Sequence, residues 1–203
     1  MNENIALSLK TVAQLLYQYP TVELLSLMND EMWQEWPTST SFDKDCISAI
    51  AASDRNFTAI CSDFTRLFVG PGKKIVYPWS SIHLDQEPLL FGDSTEQWEL
   101  LCRKNNIEIQ QHNNEPSDHF ALMLWVIAEL SNNADKQQLC STVIKDFYTP
   151  WIPSVLTKIE QKAHSIFYRE LAKLAAHYVT LISAQVENTS AKNQVNIECE
   201  QLV

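Results

Sequence analysis

Glu115-Pro116-Ser117-Asp118-His119 runs directly into Phe120-Ala121-Leu122-Met123-Leu124-Trp125-Val126-Ile127-Ala128-Glu129-Leu130, and this stretch decides the fold. Between Phe120 and Leu130 the only charge is Glu129, so a helix here keeps little more than a narrow edge in water and must be packed on most sides. It is the expected central helix of the core. Pro116 suits a first helical turn, where an amide hydrogen would have no partner, and Asp118 places negative charge at the positive end of the helix dipole. The buried helix thus opens on a polar mouth holding His119, where the dipole disfavours the imidazolium and a neutral ring is expected near pH 7.

Outward from this helix the spacing stays helical. Ile5, Leu9, Val12, Leu16 and Tyr19 recur at three and four residues and predict an amphipathic helix over residues 5–19, stopped by Pro20. Thr21 caps a second short helix, a third covers residues 42–52, and Ser53 or Asp54 caps a fourth over 57–68. Beyond the long segment 69–93, Ser94 with Gln97 reads as a capping box for a helix to about residue 105, and a polar connector, 106–114, leads to the central helix. Residues 131–133 form a turn, Asp135 caps a helix to residue 148, and Pro150 and Pro153 bracket Trp151 at a bend. Helix resumes to residue 163, and a last long helix begins at His164 or Ser165. The expected fold is all-α, a single-domain helical bundle over residues 1–186, with 187–203 as a polar, loosely held tail.

Composition agrees. Only three glycines, Gly70, Gly72 and Gly92, occur in 203 residues, too few for a sheet protein built on hairpins. The 45% hydrophobic content suffices for one well-buried domain. No apolar run approaches the roughly 20 residues of a membrane span, and the first 19 residues lack a signal peptide's basic start and cleavage site, so a cytoplasmic protein is expected. The five cysteines are scattered without a Cys-x-x-Cys pair, which suggests neither zinc nor redox chemistry, and no metal or cofactor is expected. A formal net charge of −10 argues against a nucleic-acid partner.

Three constellations are candidates for chemistry. Asp118 and His119 form an acid and base in sequence, but neighbours on a helix point about 100 degrees apart and cannot orient each other as a triad does. Gly70-Pro71-Gly72-Lys73-Lys74 lacks the spacing and the Ser or Thr of a phosphate-binding loop. Residues 69–93 stand out, with all three glycines, three prolines and apolar side chains without helical spacing, because a loop of this length inside a compact domain is often functional. Trp79 within it either ends at a groove or plugs the loop onto the core. Trp33, Trp36, Trp98, Trp125 and Trp151 fall on or beside helical faces and are expected in the core.

Taken in order, Phe64-Thr65-Arg66-Leu67-Phe68-Val69-Gly70-Pro71, Pro78-Trp79-Ser80-Ser81, Leu84-Asp85, Leu90-Phe91-Gly92-Asp93-Ser94-Thr95, Glu115-Pro116-Ser117-Asp118-His119 and Phe167-Tyr168 resemble the TorD/DmsD family of redox-enzyme maturation chaperones, most of all its DmsD branch. The resemblance spans most of residues 5–185. It implies an all-helical, non-enzymatic chaperone that works in the cytoplasm. Such a chaperone binds the twin-arginine signal peptide of a molybdenum-cofactor reductase catalytic subunit until the cofactor is loaded, before Tat export. The client it implies is dimethyl sulfoxide reductase, with trimethylamine N-oxide or nitrate reductase as alternatives and the Tat translocase as a further partner. By motif position the signal-peptide-binding residues it implies are Pro78, Trp79, Leu84, Gly92, Pro116, Asp118 and His119. The loop departs from the family's pattern: lysines at 73 and 74 where relatives are richer in proline, Ser80 for a common glycine, and His83 for an aromatic residue. A leader of this kind needs an apolar groove with acidic groups at one end; Trp79, Leu84, Leu90 and Phe91 offer the first, and Asp85, Asp93, Glu115 and Asp118 the second.

Overall fold

The computed structural model describes the backbone of residues 2–71, 73–109 and 114–200, and the side chains of residues 3–189 within them. Gly72 of the glycine-rich pentapeptide, part of the 106–114 connector and the end of the polar tail lie outside the described residues. The chain is 71% helical, and among the described residues there is no strand, only an isolated antiparallel bridge between Trp79 and His119. The helices are α1 (Asn2–Tyr17), α2 (Val22–Leu27), α3 (Asp30–Gln34), α4 (Ser41–Ala52), α5 (Phe57–Phe64), α6 (Ser80–Leu84), α7 (Asp93–Lys104), α8 (Phe120–Ser131), α9 (Gln137–Val143), α10 (Ile152–Lys162) and α11 (Ile166–Glu200).

The apolar stretch is central, as its composition requires. All of α8 except Trp125 and Glu129 is buried, and the helix lies against α1, α9 and α11. In α1 the buried residues include Ile5, Leu9, Val12 and Leu16, the spacing that marks the helix in sequence. Trp125 is the exception among the expected core tryptophans, at 40% exposed. It belongs to the one α8 face left open, where with Leu122, Val126 and residues 106–109 it lines a groove of about 550 Å³. The other four are buried; Trp33 stacks on Trp36 at 5.2 Å, and the Trp36 indole N–H donates to the Tyr178 hydroxyl at 3.0 Å.

Several helix starts differ from the sequence expectation because the capping group comes from elsewhere. Asn56, not Ser53 or Asp54, caps α5 by accepting from the Ala59 amide at 3.1 Å. Thr21 does cap α2, and Thr40 with Asp43 forms a capping box on α4. Asn133 accepts from the Asp135 amide in the turn before α9, where Asp135 was the expected cap. The last helix continues through Glu200, past the point where apolar spacing ends; its last buried described side chain is Val186, and Glu187 to Thr189 are exposed.

Two helices close in wide turns, Thr65–Val69 after α5 and Ile144–Tyr148 after α9, each ending on a bond five residues back, such as Thr149 N–H to the Ile144 carbonyl at 2.9 Å. Gly70 ends the first at φ 57°, a conformation that suits glycine. Asp63, buried in α5, fastens this region to the start of α11 by accepting from His164 N–H (3.0 Å), Ser165 N–H (2.8 Å) and Ser165 Oγ (2.7 Å) while pairing with Arg66 at 2.8 Å. Burial alone would raise its pKa. The bonds from Ser165, Arg66 and His164 outweigh it and hold the carboxyl below the ordinary range.

Cys46, Cys61, Cys102 and Cys140 are buried and free, and burial foremost pushes the thiols of Cys46, Cys102 and Cys140 up to about 12, which leaves them without thiolate character near neutrality. Cys199 lies outside the described side chains. Among the described residues no helix is long and apolar enough to cross a membrane, and no group of three or more His, Cys, Asp or Glu side chains is placed to hold a metal ion.

Candidate peptide-binding site

The loop from residue 78 and the mouth of α8 meet backbone to backbone. Phe120 N–H donates to the Pro78 carbonyl at 2.8 Å and Ser80 N–H to the Asp118 carbonyl at 3.3 Å, which makes the bridge between Trp79 and His119. Asp118 then reaches across: its Oδ2 accepts from Ser80 Oγ at 2.8 Å and from Ser81 N–H at 3.0 Å. These bonds satisfy the first turn of α6, a five-residue helix too short to sustain itself and not evident in the sequence pattern.

This geometry corrects the reading of residues 115–119. Helix α8 begins at Phe120, so Pro116 and Asp118 precede it, and the cap is His119, whose Nδ1 accepts from Ala121 N–H at 3.1 Å. Asp118 is 0% exposed and is spent on a loop nearly forty residues away, with Oδ1 unpaired among the described residues. The His119 ring is neutral, as expected. Burial is the main cause, with the Lys74 charge second, and together they lower its pKa to about 3. Its packing is edge-on to Tyr17 (4.9 Å) and to Trp79 (6.4 Å). Asp118 and His119 bond to different partners and form no acid–base pair.

Trp79 is only 5% exposed, so at rest it plugs the loop onto the core rather than ending at an open groove. One face of its indole carries the Lys74 ammonium, 5.1 Å from the ring centre. Its Nε1 is buried and has no acceptor among the described residues. His83 stacks on Trp151 at 5.1 Å, with Nε2 2.7 Å from the Tyr77 carbonyl.

Past α6 the chain turns outward. Leu84, Leu89, Leu90 and Phe91 are exposed, Leu89 and Phe91 by 61% and 60%. Phe91 holds φ 61°, uncommon for a bulky residue. Gly92 is favoured by close approach rather than by torsion, because a Cβ there would run into the Asp85 carboxylate unless that side chain moved. That carboxylate caps α7 from outside it, accepting from Ser94 N–H at 3.1 Å and from Ser94 Oγ. Gly92 therefore stands where Ser94 was expected, at the start of a helix that begins at Asp93. On the other side Trp98 of α7 donates its indole N–H to the Ser117 carbonyl at 3.0 Å.

Of the seven residues singled out by sequence, Pro78, Trp79, Pro116, Asp118 and His119 thus come together as a buried frame, while Leu84 and Gly92 belong to the exposed rim that leads from it. Sequence reasoning missed Ser80, Ser81, Asp85 as a cap, and Lys74. The two serines directly after Trp79 were the available signal, a hydroxyl and an amide offered to a distant carboxylate.

Fold and site define an all-helical protein with apolar side chains held outward on a cross-linked loop. Residues 14–157 match the family described as nitrate reductase delta subunit. The chain is 31% identical over 180 residues to the Tat proofreading chaperone DmsD of Salmonella typhi, covering 85% of this chain and 86% of that protein. It is 25% identical over 169 residues to the chaperone protein TorD of Shewanella pealeana, covering 77% and 76%. A redox enzyme maturation protein from Archaeoglobus fulgidus shares the fold with a TM-score of 0.56 at 15% identity, over 90% of this chain and 93% of that one. The chain belongs to the nitrate reductase delta subunit family, in its TorD/DmsD group of redox-enzyme maturation chaperones.

Proposed function

We propose that this chaperone acts in the cytoplasm on the twin-arginine signal peptide of a molybdenum-cofactor reductase catalytic subunit, holding it until the cofactor is loaded and export can begin. The observation that carries this reading is the rim of Leu84, Leu89, Leu90 and Phe91, four large apolar side chains left in water beside a frame cross-linked by Asp118. A leader has a basic segment followed by an apolar one. The apolar segment lies along the rim, and its arginines reach the frame around Trp79. The DmsD-like run at residues 90–95 supports dimethyl sulfoxide reductase as the client, and the Tat translocase is a further partner in this reading.

Because Trp79 and Asp118 are buried, truncating either perturbs the frame itself, so the rim gives the cleaner test. Each well-buried leucine or phenylalanine contributes about 1.5–3 kcal/mol. Leu89→Ser with Phe91→Ser should therefore weaken binding of a synthetic twin-arginine leader by at least about tenfold in titration calorimetry, with the melting temperature little changed. Unchanged affinity would move the site elsewhere, and co-purification of a different class of client from a host lysate would replace the proposed one.

A further inference from the structure

The ammonium of Lys74 lies 5.1 Å from the centre of the Trp79 ring and donates to the Phe68 carbonyl at 2.7 Å, at the end of the wide turn after α5. Trp79 is buried in part because this side chain covers it, while His119 stands edge-on to the same indole. A cation, an aromatic face and a backbone acceptor are thus already assembled at the place where the proposed function needs a client's basic side chain. The chain supplies that cation itself.

We infer that Lys74 is a tethered stand-in for the client's basic residue, a self-supplied competitor that the leader must displace; the inference rests on the proposed leader-binding role. A tethered group competes at a high effective concentration, so a ligand displaces it only by binding the same place better. The displacement costs every ligand the same and weakens lysine and arginine leaders by one common factor. An arginine meets that cost better because of the site itself: its planar, weakly hydrated guanidinium stacks on an indole and presents a fork of donors to a carbonyl such as that of Phe68. Displacing Lys74 also moves a positive charge away from His119, whose pKa that charge helps to depress.

Lys74→Met keeps the stem over Trp79 and removes the charge. Binding of a leader with two arginines, and of the same peptide with two lysines, is measured by calorimetry on both proteins. In parallel the dipeptide acetyl-Arg-Arg-amide is titrated while the Trp79 indole N–H resonance is followed. The expected result is that Lys74→Met tightens both leaders by the same factor, about threefold to thirtyfold, the range of a cation–ring contact, with the arginine-over-lysine ratio unchanged. The dipeptide should shift the Trp79 resonance at lower concentration in the variant. Leader affinity that is unchanged or weaker in the variant overturns the stand-in role while leaving the leader reading intact. Absence of leader binding by either protein removes the leader reading, and the dipeptide titration still decides whether Lys74 guards a guanidinium site: equal responses in the two proteins reject it.

Discussion

The His119 ring caps α8 through Nδ1 and is kept neutral chiefly by burial and then by the Lys74 charge. Its pKa falls from an ordinary 6.5 to about 3, so between these values the unfolded chain binds a proton that the folded chain refuses. The stabilisation is complete above pH 6.5 and is lost as pH falls toward 3. The contribution of this one residue is a loss of up to about 1.4 kcal/mol per pH unit below 6.5. Urea unfolding at pH 7, 6 and 5 should show it, and His119→Asn, which keeps a capping acceptor, should have the shallower pH dependence. Equal slopes in both proteins would mean that the ring is not the titrating group.

At the scale of elements, the long helices were legible because each carries its evidence locally. The three-and-four spacing of Ile5, Leu9, Val12 and Leu16 is enough for α1, and eleven nearly uncharged residues are enough for α8. What was not legible depends on partners far along the chain. Asp118 looks like a dipole residue until Ser80 and Ser81 are seen to bind it, and α6 exists only with that carboxylate at its start. Likewise Ser94 looks like a cap until Asp85 is found to do that work from outside the helix. The rim hangs between these two fastenings, so its position should depend on Gly92. Gly92→Ala pushes a methyl group into the Asp85 carboxylate and should remove the cap of α7. The expected cost is about 1 kcal/mol, seen as a melting temperature lower by about 2–4 °C, with weaker leader binding. A variant as stable as the wild type would show that Asp85 can move aside without cost.

At the scale of the whole molecule, the family is written in the order of short motifs, and the structure shows why the order matters: residues 64–71, 78–95 and 115–119 converge on one region although no single motif could define it. The same convergence puts each half of the chain in need of the other. Helix α1 buries its apolar face against α8 and α11, and α8 begins about 100 residues after α1 ends.

That dependence has a cost in time. At about 5–20 residues per second, α1 leaves the ribosome about 5–20 s before α8 is made, and later still α11 arrives. For that interval this chaperone is itself a nascent chain with uncovered leucines, open to capture by other chaperones. Ribosome-bound chains stalled before residue 163 should therefore be cut within α1 by a protease that spares it in the finished protein. Protection of α1 in chains that lack α11 would show that α8 alone is cover enough.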